Sequence, residues 1–526
     1  MSKNGTTPGN IFATNISQLD YILKEGGIRI PNNKDGVSIL IKGPAGAGKS
    51  TLALLLAARC AEEGGPCLYC ALEQNEDSII RLANNMIEDE ELGKFQWIQE
   101  EDEPLDKDGS QGFICISRLS PSKSGERDFK DYSYLLDTQT QKFVSNYGAE
   151  KTSMIVIDSL NVFGPNPLTR TEFEKLKETL AANNRILIFI GEPDNKNLDW
   201  DRLVDMVIEL GNKATVGDYF LRTINLSKAR FQNHILGSHI IKIKGRGSDV
   251  ISGEKTEASL PAKKSDIGFF IYPSLHYHLS VAINRKQMFE IKGVPEAKKL
   301  QTGFDALDRA LDGGVKRGTM AVVSSSLSYV AKGIGLSFLA NGVENDEKSL
   351  YLSLQDDEDS IMKLPSNKVI SEMVAEKNLV IKTFRPGFIS AEEFVDRIIN
   401  VILDNTKQNA IFQRVVFDDV SQIGLRFPLL DHAPVFLPTL MDIFRLYDMT
   451  AMFLSTTVSA GDFQISPKNN LYDLVNTVIE VQGLDRSSET EAAVKIRKIA
   501  EQFYLPKELK LVIGHQAGGQ ISIMDQ

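Results

Sequence analysis

The sequence predicts an α/β protein built as two tandem copies of one domain, each a mostly parallel sheet flanked by helices. Three observations carry this. Short β-rich runs alternate with longer helical patterns, as βαβ units do. A series of sequence echoes recurs in the same order in both halves. A glycine-rich loop stands between a strand-like run and a helical one near the start of the chain.

The echoes are specific. LYCALEQNEDSIIRL (68–82) is answered by LYLSLQDDEDSIMKL (350–364), with Leu-Tyr, the central Leu and Glu-Asp-Ser-Ile in register. LDYILKEGG (19–27) is answered by LDRALDGG (307–314), MIVIDSL (154–160) by RVVFDDV (414–420), and LVDMVIEL (203–210) by LVNTVIEV (474–481). Four echoes in one order imply a duplication. The expected domains are 1–285 and 301–526, with a linker over 286–300. In the first copy VSILIK (37–42), PCLYCAL (66–72), SMIVID (153–158) and RILIFIG (185–191) read as strands, and 50–63 as a helix. Sheets of this kind bind ligands at the carboxyl ends of their strands, so the loops after Lys42, Leu72 and Ile157 are where chemistry is expected.

Composition narrows the class. Of 526 residues, 42% are apolar and 25% charged, a globular balance that excludes wholesale disorder. No apolar run approaches the roughly 20 residues a membrane span needs. The first residues lack the apolar core of a signal peptide, and the four cysteines sit in the N-terminal half, so a reducing cytoplasm is the expected location. With 59 basic and 70 acidic residues the net charge is −11. That counts against nucleic acid as the main partner, because phosphate-backbone binders carry a basic footprint, though a local basic groove stays open.

After Lys42 comes Gly43-Pro44-Ala45-Gly46-Ala47-Gly48-Lys49-Ser50-Thr51, which fits G-x-x-x-x-G-K-[ST]. Glycines let backbone amides close around phosphate oxygens, and a helix starting at Lys49 aims its positive end at them. Lys49 is placed to reach the β/γ phosphates of ATP and Ser50 to ligate Mg²⁺. Asp158, ending an apolar strand, is the expected Mg²⁺ carboxylate. Glu73 follows the strand 68–72, read as lying next to the P-loop strand, where a carboxylate orients or deprotonates an attacking water.

These residues carry a family resemblance. Gly43–Thr51, Glu73-Gln74, Ile157-Asp158-Ser159, Lys228-Ala229-Arg230 with His234, and the close GFFIYPSLHYHLS (268–280) resemble KaiC-type ATPases of the RecA superfamily. The resemblance spans nearly the whole chain as two tandem domains. It implies a homohexameric ring with ATP between subunits, and Lys228 and Arg230 reaching in trans into the site held by a neighbour's Gly43–Thr51. It also implies slow ATP hydrolysis that controls assembly or an unidentified protein partner. The family commonly has two glutamates where this chain has Glu73-Gln74. The competing expectation is a DNA-dependent ATPase of recombinase or helicase type.

The second copy reads as disarmed. Its loop position is Ser326-Leu327-Ser328-Tyr329-Val330-Ala331-Lys332-Gly333, with the lysine kept and the glycines and hydroxyl lost. The Glu73 position is Gln355, Lys228 matches Lys498, and Arg230 matches Ala500, while Asp418 keeps the acid. A pseudo-ATPase domain is expected. Three further features are set aside as structural: Cys67 and Cys70 on opposite faces of a strand, the acidic residues around Trp97 as a solvated insertion, and 244–264 as a hairpin tip.

Overall fold

The computed structural model describes residues 10–16, 18–31, 36–99, 111–118, 138–139, 143, 152–163, 169–180, 184–192, 200–214, 220–246, 267–278, 299–363, 367–376, 378–384, 389–406, 411–431, 433, 435–456, 464–466, 469–483, 491–500, 508–514 and 520–525. Contacts divide the chain into two compact units, 1–274 and 275–526. No helix among the described residues is long and apolar enough to cross a membrane.

In the first unit a short antiparallel pair, β1 (Asn10–Phe12) and β2 (Ile28–Ile30), precedes the main sheet. The sheet is built from β3 (Val37–Lys42), β4 (Pro66–Ala71), β5 (Gln96–Gln99), β6 (Phe113–Arg118), β7 (Ser153–Asp158), β8 (Arg185–Gly191), β9 (Met206–Ala214), β10 (Phe220–Ala229), β11 (Ser238–Lys244) and β12 (Gly268–Tyr272). Their order is β5-β6-β4-β7-β8-β3-β9-β10-β11-β12. From β5 to β9 neighbours pair in parallel, and from β9 onward they alternate. Every residue of β4, β7 and β8 is buried, as expected for parallel strands covered on both faces. One core packs Leu40, Leu68, Ile155, Phe173, Leu187 and Phe189 together.

The first strand described in the second unit is β13 (Lys299–Leu300), paired to β14 (Val315–Lys316), so the end of the expected linker is itself a strand. Its main sheet uses β15 (Met320–Ser325), β16 (Lys348–Ser353), β17 (Leu379–Thr383), β18 (Phe412–Asp418) and β19 (Thr450–Thr456). After a small pair, β20 (Gln464–Ser466) and β21 (Asn469–Asn470), come β22 (Thr477–Gly483), β23 (Glu491–Ile499), β24 (Glu508–Gly514) and β25 (Gln520–Asp525). The order is β17-β16-β18-β19-β15-β22-β23-β24-β25. It repeats the first sheet strand for strand, except that the first carries β5 as an added edge.

That edge revises one expectation. The stretch around Trp97 is not simply a solvated insertion, because Gln96–Gln99 pairs with Phe113–Ile116 as a parallel edge strand. Residues 100–103 lie outside the described residues, as does 247–264 of the expected hairpin tip; β11 and β12 on either side of it pair antiparallel. Cys67 and Cys70 do separate: Cys67 Sγ donates to the Ala57 carbonyl at 3.3 Å, while Cys70 faces the core beside Leu40 and Leu68.

The Glu-Asp-Ser-Ile echo also has a local cause. Asn75 accepts from the Ser78 amide at 2.9 Å and Asp357 from the Ser360 amide at 2.8 Å. Each is the N-cap of the helix that the echo begins, satisfying an amide the helix leaves free.

Candidate active site

The P-loop folds as its residue types require. The helix Lys49–Glu62 begins directly after Gly48, whose φ of 100° lies in the left-handed region. A Cβ there would also stand 2.3 Å from Ile243 Cδ1 on β11. Gly46 has φ of 75° and faces open space, which leaves room before the loop for a ligand. The helix is held down by Leu52, Ala53, Leu54, Leu56 and Ala57, all buried. Its free amides and dipole therefore point outward from a fixed N-terminus.

Lys49 is buried at the head of this helix. Its Nζ donates to the Gly43 carbonyl at 2.7 Å and the Pro44 carbonyl at 3.0 Å, and lies 3.5 Å from Glu192 Oε1. The ammonium thus sits inside the curl of its own loop, where phosphate oxygens would meet it.

Strands β3, β4, β7 and β8 run parallel, so their carboxyl ends share one edge with the loop. Asp158, the last residue of β7, is 6% exposed. It accepts from Tyr69 Oη at 2.7 Å and from the Ser50 hydroxyl. Burial pushes its carboxyl up from the usual range and the nearby Glu73 charge adds to this, while the two hydroxyls and Lys49 pull it down. Glu73 is exposed and accepts from Ser159 Oγ at 2.7 Å. Ser50, Asp158 and Glu73 are therefore brought to one place with Lys49.

The path by which Glu73 arrives differs from expectation. β4 is not next to the P-loop strand; β7 and β8 stand between them. Glu73 reaches the site because β4 pairs with β7, and the Leu72 amide donates to the Asp158 carbonyl at 2.7 Å.

Lys228 stands level with Leu40 through Val207, and its Nζ donates to the Asp201 and Val204 carbonyls at 2.6 Å each; Arg230 lies further from this edge. The Arg230 amide donates to the Asp205 carbonyl, and Asp205 pairs with Ser38 at the start of β3. The loop follows the other end of that strand, about 15 Å away at strand rise. Arg230 Nη1 holds Asp205 Oδ1 at 3.0 Å and its side chain is 48% exposed.

Sequence reasoning missed Tyr69, Ser159 and Glu192. The first had a signal, since the Leu-Tyr echo recurs and Tyr351 bonds Asp418 as Tyr69 bonds Asp158. Ser159 stood in the Ile157-Asp158-Ser159 run with no role attached, since Glu73 lies 86 residues away, and Glu192 had no signal at all.

Residues 12–255 match the family model described as ATPase: KaiC. The N-terminal domain is a KaiC-family ATPase domain. Among curated proteins, no sequence matches the chain.

The KaiC domain's donor set also suits the metal its family implies. A serine hydroxyl and an aspartate carboxylate, already joined by a hydrogen bond, are hard oxygen ligands of the kind Mg²⁺ takes. Few protein ligands are what that ion needs, because it keeps waters and phosphate oxygens as its remaining shell.

The matching edge of the second unit is built differently. The helix there starts at Ser328, four residues before Lys332, so the stretch that loops in the KaiC domain is helical. Gly333 stands where Ser50 does, and Ile521 Cδ1 occupies the place a Cβ would take, at 2.3 Å. Lys332 Nζ is engaged by Asp356 and lies 3.8 Å from Asp418 Oδ2. Burial pushes the Asp418 carboxyl up to about 6 against the pull of Lys332 and Tyr351.

Proposed function

We propose that the chain is a slow ATPase that binds Mg·ATP in its N-terminal KaiC domain and uses it to control assembly of a homohexameric ring or binding of a partner protein. The observation carrying this is the meeting of Ser50 with Asp158, and of Ser159 with Glu73, beside the Gly43–Thr51 loop.

In this reading the amides of Gly43–Thr51 hold the phosphates, and Lys49 leaves its loop carbonyls for the β/γ oxygens. Ser50 and Asp158 would hold Mg²⁺, which supplies charge neutralisation on the phosphates. Glu73, fixed by Ser159, accepts a proton from water as its oxygen attacks the γ-phosphorus; the bond to the ADP oxygen breaks, leaving ADP and phosphate. Gln74 adds no second carboxylate, which supports slow turnover. Arg230, remote from its own loop, fits a role in the site of a neighbouring subunit, where such a cation contributes about 10³–10⁵ in rate.

The C-terminal domain is read as a pseudo-ATPase: its loop is helical and its lysine is held by carboxylates. The four cysteines, three of them buried and all in the N-terminal half, support a reducing, cytoplasmic setting.

The test is Mg·ATP-induced thermal stabilisation, about 2.7 kcal/mol at 100-fold excess over Kd, read with native mass. Lys49→Ala should abolish both the shift and any ATP-dependent mass change. Glu73→Gln should keep the shift and lose about 10²–10⁴ in turnover. Full turnover in Glu73→Gln overturns the assignment.

A further inference from the structure

Between β10, which ends at Ala229, and β11, which begins at Ser238, the chain makes neither helix nor strand. This stretch begins with Arg230, whose guanidinium serves a neighbouring subunit in the ring proposed above. With no ladder to fix it, its course depends on hydrogen bonds made elsewhere. Gln232 supplies them. It is 8% exposed; its Oε1 accepts from the Arg29 amide at 2.7 Å, and its Nε2 donates to the Leu23 carbonyl at 2.9 Å and the Gly27 carbonyl at 3.0 Å. Three residues on, the Ile235 amide donates to the Ile22 carbonyl at 2.9 Å.

All of these bonds land on one N-terminal module: β1, the helix Leu19–Ile22 and β2. The module is firmly built. Asp20 accepts from the Thr14 and Asn15 amides at 2.8 and 2.9 Å, and Leu19, Ile22, Ile28 and Ile30 are buried. A Cβ on Gly27 would stand 2.2 Å from the Phe12 carbonyl oxygen, so helix, turn and strand are pressed together. Leu23 and Gly27 are buried as well, and losing Gln232 would leave their carbonyls without this donor, which is costly. The second copy carries an echo of the same residue. Gln502 stands four residues after Lys498, as Gln232 stands four after Lys228, although the arginine between them has become Ala500. Residues 501–507 lie outside the described residues. A glutamine that outlasts the arginine serves the fold of its own subunit.

We propose that Gln232 is a positioning residue: it fixes the 230–235 segment on the N-terminal module of its own subunit and so sets Arg230 for the P-loop of the next. This rests on the ATPase and ring reading above. Turnover at one P-loop then depends on a glutamine in the adjacent subunit that touches no phosphate. A misplacement of about 1 Å in such a group is enough to cost about 10²-fold in rate.

The experiment uses full-length chains. Gln232→Met keeps the side-chain length and removes the hydrogen bonds. Amide exchange at Arg29 and Ile235 should quicken about tenfold. The kcat should fall about 10–100-fold with Mg·ATP affinity unchanged, because Gly43–Thr51 is untouched. Mixed with Lys49→Ala subunits, which carry an intact Gln232 and Arg230, Gln232→Met should regain turnover to the level that an Arg230→Ala and Lys49→Ala mixture reaches. A merely destabilised subunit regains none. Should Gln232→Met fail to fold, Gln232→Glu takes its place, keeping the acceptor for Arg29 and losing both donors. Unchanged exchange, full turnover, or no recovery where the Arg230→Ala mixture recovers overturns the proposal. If the Arg230→Ala mixture also stays inactive, the shared-site reading fails instead, and the exchange rates still decide whether Gln232 holds the segment.

Discussion

Tyr69 Oη donates to Asp158 Oδ2 at 2.7 Å, across the parallel pairing of β4 and β7, and Tyr351 repeats the bond to Asp418 at 2.6 Å. Both partners are buried in each pair. The two domains thus keep one way of holding an acid at the carboxyl edge of the sheet. They differ in what faces that acid: a serine hydroxyl in the first, a lysine already satisfied in the second.

Tyr69→Phe removes the donor and keeps the ring. Asp158 then loses an interaction that favours its charged form, so its carboxyl moves further up. The expected cost is about 1–3 kcal/mol of stability, measured by denaturant unfolding. Tyr351→Phe should cost a similar amount. Only the first should weaken Mg·ATP binding, and more strongly as pH falls, because protonated Asp158 is a poor metal ligand.

Ser159→Ala frees Glu73 from its 2.7 Å donor while leaving the loop intact. ATP affinity should stay unchanged and kcat should fall about tenfold, equivalent to about 1.4 kcal/mol of barrier. Steady-state kinetics with an independent binding titration separates the two. A change in affinity with kcat preserved would place Ser159 in phosphate binding instead.

Asp418 gives a pH signature. Its unfolded carboxyl titrates near 3.8 and its folded one near 6, so the folded state binds the extra proton between these values. Its contribution to stability is therefore greatest at low pH and declines as pH rises from about 4 to about 6, then levels. The wild-type-minus-Asp418→Asn stability difference should slope downward across that window and be flat above it. Chemical denaturation at several pH values reads this directly.

What the sequence alone makes legible follows from what each signal encodes. The P-loop was legible because its grip on phosphate depends on glycines and a helix start adjacent in sequence. Asp158 was legible because β7 ends at it. Neighbour order was not. The runs of β3, β4, β7 and β8 are buried on both faces, so no face pattern says which strand lies beside which, and Glu73 stands two strands further from β3 than expected. The fate of the second loop was half legible: the absence of glycine was plain, but not that Ser328–Ala331 would join the helix. Partners fixed by tertiary approach, such as Asp356 with Lys332 or the Asp201 carbonyl with Lys228, leave no local trace.

The sharpest contrast between the two lysines is energetic. Lys49 meets backbone carbonyls and one carboxylate, Glu192, that is 47% exposed and 3.5 Å away. Exposed pairs of that kind contribute about 0–1 kcal/mol, so incoming phosphate displaces it at little cost. Lys332 is 9% exposed and stands between Asp356 and Asp418, the latter 2% exposed. Burial opposes its charge, yet those carboxylates hold its pKa above the usual lysine value. Removing such a partner leaves buried carboxylates uncompensated. Lys332→Met should therefore lower stability by about 3–5 kcal/mol. Adding Asp418→Asn should recover part of the loss, because one uncompensated charge is gone. Mg·ATP-induced stabilisation of the N-terminal domain should survive both changes and vanish in Lys49→Ala. Thermal unfolding of the three variants with and without Mg·ATP makes the comparison. Equal loss of the nucleotide shift from Lys49→Ala and Lys332→Met would contradict the division between a phosphate-binding domain and a self-satisfied one.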